Sequence, residues 1–141
     1  MRFTVFLLVV LLVACNKPDK KYTGWRIKGG TADGIQYSQL DQINKKNVNQ
    51  LQVAWTYQSG GADSINNRTQ IQCNPIIVND VLYATSPSLK AFALDAATGK
   101  QRWMYQTEGQ ISGSPNFVMI GKEKKIIVGS YDYFLHCVDD V

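Results

Sequence analysis

Histidine and cysteine, from which metal centres and nucleophilic sites are most often built, are scarce in this sequence. Its 141 residues hold one histidine and three cysteines, with no CxxC pair. Cys73 and Cys137 stand at unrelated spacings, so a zinc site lacks ligands. A Ser-His-Asp arrangement would have to use His136, which lies in the run Phe134-Leu135-His136-Cys137-Val138. That run reads as a strand, where a packed or edge-facing histidine is expected. Neither a Walker phosphate loop nor a dinucleotide GxGxxG occurs. Charge is also sparse, at 18% of residues with a net +4. The lysines fall in scattered pairs and short runs without interleaved aromatics. They read as solubilising surface and argue against a nucleic-acid partner. No apolar run reaches the roughly 20 residues of a membrane-spanning helix. No catalytic residue and no metal ligand is therefore assigned.

What is present points to strands. Apolar residues make up 45%, a globular composition. Seven Tyr, five Phe, three Trp and eleven Gly suggest strands joined by turns, hence an all-β chain. The start reads as an address. Met1-Arg2 is a short basic lead, and residues 3–14 are almost wholly apolar. This is the length of a signal-peptide core, so 1–14 is expected to be a signal peptide. The run closes in Leu12-Val13-Ala14-Cys15, which resembles the bacterial lipobox, whose cysteine is acylated and becomes the new N-terminus. Cys15 is thus expected to carry lipid, a buried structural cysteine being the alternative. Asn16 rather than Asp follows it; by resemblance to proteobacterial lipoproteins this implies the outer membrane. The expectation is an exported protein on the periplasmic side of the envelope, with 15–24 as tether. In such a protein the glycosylation triplet Asn67-Arg68-Thr69 is idle. Cys73 and Cys137 sit in apolar strand patterns and are expected to be two buried thiols.

The most informative feature is an internal repeat. Pro75 and Val78 lie over Pro115 and Val118 at an offset of 40, and Leu82 to Ser86 lie over Ile126 to Ser130 at an offset of 44. The first copy turns through Asn79-Asp80, a two-residue hairpin signal. The second is expected to turn through six residues, Met119 to Lys124. An aromatic strand is expected ahead of each copy, at residues 53–57 with Trp55 and at 101–105 with Trp103. Four short strands in about 44 residues match a β-propeller blade. The expectation is a partial propeller at 25–141, with two four-stranded blades at about 51–95 and 100–141. The link carries Ala93, Asp95, Thr98, Gly99 and Trp103. Asp95 can bond N–H groups ahead of it, with Thr98 helping to fix the turn. Gly99 can supply positive φ. Trp103 carries a large apolar surface that can wedge between neighbouring blades.

Ala93-x-Asp95-x-x-Thr98-Gly99-Lys100-x-x-Trp103 resembles the tryptophan-docking motif of quinoprotein dehydrogenases, propellers that hold pyrroloquinoline quinone (PQQ) and calcium. Upstream, Trp25 with Gly29-Gly30, Tyr37-Ser38, Leu40-Asp41-Gln42-Ile43-Asn44, Asn47-Val48 and Val53-Ala54-Trp55 look like the N-terminus of PQQ-dependent glucose and alcohol dehydrogenases. The resemblance implies oxidation of a sugar or alcohol, with electrons passing to a quinone or cytochrome. It implies that the calcium ligands and the general base come from later blades. One cofactor contact is implied within reach: the residue three before the Pro of the first blade, here Pro75, is commonly Glu in the family, and here it is Gln72. An amide there can hydrogen-bond a quinone oxygen but brings no negative charge. The chain departs from the pattern in residues 108–115, and the second unit, Ile126 to Asp139, looks like a generic PQQ-like repeat. Such repeats also occur in non-catalytic scaffold lipoproteins of the outer-membrane assembly type, the alternative function. The chain ends at Asp139-Asp140-Val141, in register with a second docking turn. It looks cut in mid-motif, as a fragment or truncated reading frame would be, and is expected to be inactive alone.

Overall fold

The computed structural model describes residues 23–61, 65–66, 70–111 and 113–140. The apolar start, Cys15, the tether up to residue 22 and the 67–69 triplet lie outside the described residues. Among the described residues the fold is two antiparallel sheets with one short 3-10 turn at Val48–Gln50. The first sheet is β1 (Ile76–Val78), β2 (Val81–Ser86), β3 (Lys90–Asp95) and β4 (Gln101–Gln106), in sequence order. The second is β5 (Asn116–Ile120), β6 (Glu123–Gly129) and β7 (Leu135–Asp139).

Local chemistry sets the hairpins. Asn79 and Asp80 have φ of 50° and 62°, and Val78 pairs with Val81. Positive φ at both central residues is the signature of a type I′ turn, whose twist matches that of the strands. The second hairpin corrects the expected six-residue turn. Ile120 pairs with Glu123, so the turn is only Gly121-Lys122. The four residues that separate the two repeat offsets are spent as longer strands, because each extra pair adds ladder hydrogen bonds that an open loop would leave to water.

The strand assignment is corrected in a second place. Residues 53–57 are in no sheet, and β4 pairs with β3 of the first sheet, Phe92 opposite Met104 and Ala93 opposite Trp103. The short turn at 95–100 favours antiparallel return onto β3 over a crossing to the next sheet. The first sheet therefore has four strands and the second three among the described residues.

Both faces of the first sheet are covered. On one, Ile76, Val78, Tyr83, Ala91 and Ala93 form a common core with Ile111, Ile126 and Val128, and Trp103 and Phe117 pack against it. That core joins the two sheets. On the other, Ala84, Phe92 and Leu94 meet Trp55, Tyr57 and Cys73. Three polar bonds reinforce the joint between the sheets. Asn74 N–H donates to Ser114 Oγ at 2.8 Å, Thr85 Oγ1 to the Gly113 carbonyl at 2.9 Å, and the buried Tyr83 hydroxyl to the Asp140 carboxylate. Burial and then the Asp140 carboxylate push the Tyr83 phenol well above its usual range, which keeps it a donor.

The expectation of two buried thiols fails. Cys73 is half-buried outside any strand and Cys137 is exposed; neither is in a disulfide. β7 is an edge strand with one face in water, and strand alternation puts Leu135, Cys137 and Asp139 on that face.

Candidate functional site

The turn at 95–100 is organised by one carboxylate. Asp95 Oδ1 accepts from the Thr98 N–H at 3.0 Å and from the Thr98 hydroxyl at 2.8 Å. Asp95 Oδ2 pairs with Arg102 Nη2 at 3.1 Å. Backbone bonds from Gly99 N–H to the Asp95 carbonyl and from Asp95 N–H to the Lys100 carbonyl, both 2.8 Å, close the loop. The Thr98 hydroxyl, the Arg102 guanidinium and the Thr98 N–H hold the Asp95 carboxyl below its usual range. A carboxyl depressed in the fold stabilises it above the unfolded value of about 4, and that contribution is lost as pH falls through the lower folded value. The stability gap between the unmodified chain and Asp95→Asn is therefore expected to be largest above about pH 4 and to shrink as pH falls below it. Urea unfolding at several pH values reads it. A gap that widens on acidification contradicts this role.

Gly99 has φ of 71°, and a Cβ there would stand 2.5 Å from Cδ2 of Trp55. The indole seated on this turn is thus Trp55, whose Nε1 donates to the Ala96 carbonyl at 3.2 Å. Trp103 stands on β4, 6.0 Å from the Tyr83 ring between centroids, and packs on the core shared with the second sheet. The two indoles hold the same sequence place ahead of their copies, but Trp103 is a strand residue of the first sheet and Trp55 is in no sheet. That equivalence was the available signal for Trp55. Trp103 Nε1 is buried with no partner among the described residues. Ala93 is fully buried on β3.

Gln72 is exposed, in the segment leading to β1. Its neighbours Ile71 and Cys73 line a groove of about 350 Å³ together with Trp55, Tyr57, Phe92 and Leu94, and Gln72 is not among the lining residues. Cys73 Sγ accepts from the Thr85 N–H at 3.3 Å, which holds it there. PQQ carries three carboxylates, and such an anion needs cationic or N–H-rich partners. The lining of this groove has no charged side chain. Among the described residues no group of three or more His, Cys, Asp or Glu could hold a metal ion. This groove by itself therefore does not fit PQQ.

Residues 25–123 match the family described as the glucose/ethanol/alcohol dehydrogenase β-propeller domain, PQQ. The chain is 47% identical over 81 residues to the dehydrogenase subunit of alcohol dehydrogenase (quinone) from Gluconobacter oxydans, covering 57% of this chain and 10% of that one. It is 30% identical over 128 residues to quinohemoprotein alcohol dehydrogenase ADH-IIG of Pseudomonas putida, covering 86% of this chain and 17% of that enzyme. The solved quinohemoprotein alcohol dehydrogenase of Comamonas testosteroni superimposes with a TM-score of 0.71 at 25% identity, over 84% of this chain and 18% of the other. The chain thus spans under a fifth of the length of each of these relatives.

Proposed function

The chain belongs to the PQQ-dependent glucose and alcohol dehydrogenase β-propeller family, and from that premise we propose that it supplies two neighbouring blades of a dehydrogenase that oxidises a sugar or an alcohol. The observation that supports this is an indole at each of two places, Trp55 on the Gly99 turn of the first sheet and Trp103 on the core that the two sheets share. A radial array needs a joint that can be repeated around an axis. In this reading PQQ, with calcium, would supply the two-electron chemistry, and the electrons go to a quinone or cytochrome. Gln72, at the lead of β1, would offer a hydrogen bond to the quinone. The other cofactor and metal ligands come from outside these two blades. Disrupting the coding region in its host tests the reading. PQQ-dependent dye reduction by cell membranes should be lost for at least one substrate in a panel of sugars and alcohols; activity unchanged across the panel contradicts it.

The anchor is part of the same proposal: Cys15 carries lipid and holds the protein at the periplasmic side of the outer membrane. Radiolabelled fatty acid should mark the protein, and Cys15→Ala should remove the label. Equal label in both contradicts it.

A further inference from the structure

The repeat also places a polar chain where its first copy has an apolar contact. In the first copy, Tyr57 packs its ring on Phe92 of β3 at 4.9 Å between centroids, and its hydroxyl turns away to Gln101. The positions equivalent to Tyr57, Phe92 and Ser88 in the second copy are Tyr105, His136 and Asp132. There the rings of Tyr105 and His136 lie 5.6 Å apart, and the Tyr105 hydroxyl is 3.0 Å from His136 Nδ1. His136 Nε2 in turn is 3.0 Å from Asp132 Oδ2. Phe92 and Ser88 have been replaced together by an imidazole and a carboxylate that complete one hydrogen-bonded line across the two sheets.

Asp132 is the fixed end of that line. Its Oδ1 accepts from the Phe134 N–H at 3.0 Å and its Oδ2 from the Gly109 N–H at 3.2 Å. Partial burial pushes its carboxyl up, but the Phe134 N–H, the His136 ring and the Gly109 N–H pull it down to about 2, so it stays an anion. The Gly109 segment packs tightly on it: a Cβ on Gly109 would stand 2.2 Å from the Asp132 nitrogen. The side chains of His136 and Asp132 are only 16% and 13% exposed. An anion can only accept, so a neutral His136 must carry its proton on Nε2. That leaves Nδ1 as acceptor and makes Tyr105 the donor.

We propose that Tyr105, His136 and Asp132 form a positioning latch that fixes the outer edge of the second sheet against β4, with His136 held as the Nε2–H tautomer. The latch ties together elements 31 residues apart in sequence. Ring stacking alone would serve for adhesion, as Tyr57 and Phe92 show. The polar line adds direction: it admits one ring orientation and one tautomer, and so one pitch between the sheets.

Nitrogen NMR on the labelled full chain at pH 8 tests the tautomer without any variant. The expected signature is protonated Nε2 and acceptor Nδ1; the opposite assignment overturns the proposal. Tyr105→Phe keeps the ring and removes only the hydroxyl. It should shift the Nδ1 resonance and raise hydrogen exchange at the Gly109 and Phe134 amides about three- to tenfold, with first-sheet amides unchanged. His136→Gln should give a similar rise. The double variant should exceed neither single by much, because the three groups act as one unit. Rises that multiply in the double variant, or a Nδ1 resonance unmoved in Tyr105→Phe, would show mere packing and overturn the latch.

Discussion

Gly99→Val is expected to destabilise the chain by roughly 3–5 kcal/mol and to abolish cooperative unfolding at 37 °C. Two costs combine. A β-branched residue resists the φ of 71° that this position holds. Its Cβ would also enter the Trp55 ring, 2.5 Å from Cδ2, and the clash lies at the fused edge of an indole rather than at a flexible end. Trp55 cannot yield easily, because its Nε1 is bound to the Ala96 carbonyl and its neighbour Tyr57 is packed on Phe92. Gly99→Ala should show most of the loss, since the Cβ alone makes the clash. Denaturant unfolding followed by tryptophan fluorescence measures both variants. A loss under about 1 kcal/mol for Gly99→Val would mean that the turn and Trp55 are not held together.

Trp103→Ala has the second largest expected effect, toward the lower end of the roughly 3–5 kcal/mol seen for buried aromatic deletions. Trp103 is half-buried, but it packs on the one core that both sheets share and stands against Tyr83. Its removal opens that core along the joint. The loss should appear as separation of the sheets, with hydrogen exchange rising on β5–β7 before β1–β3. Uniform exchange along the chain, or a loss below about 1 kcal/mol, would place Trp103 outside the joint.

The sequence showed the turns more clearly than the pairings. Asn79-Asp80 and the Asp95–Thr98–Gly99 turn were legible because a few adjacent residues decide them. The place of β4 was not. Its alternation suits either sheet, and only the short return after Asp95 selects the first. The second hairpin misled for a related reason. Met119 and Ile120 are exposed and are followed by charged residues, so they read as a turn although the ladder continues through Ile120. Cys137 lies in an apolar run, yet its strand is an edge. Asp132, His136 and Tyr105 could not be joined in advance, because their line crosses between sheets and no local pattern marks it.

The two sheets are blades of a propeller fold, and by themselves they are expected not to make an oxidising site. Propellers close with about 4–8 blades, and closure is what completes an axial pocket. Here Met119, Ile120, Phe134 and Leu135 of the second sheet and its turn are exposed. Several hundred Å² of such surface, at about 25 cal/mol per Å², is comparable to the whole stability of a small domain. Two blades without the other walls of such a pocket cannot exclude water while they position cofactor and substrate together. The direct test is dye reduction by the purified chain supplied with PQQ, calcium and a panel of sugars and alcohols. The expected rate is no higher than free PQQ gives without protein. Reduction well above that background, and abolished by Gln72→Ala, would contradict it.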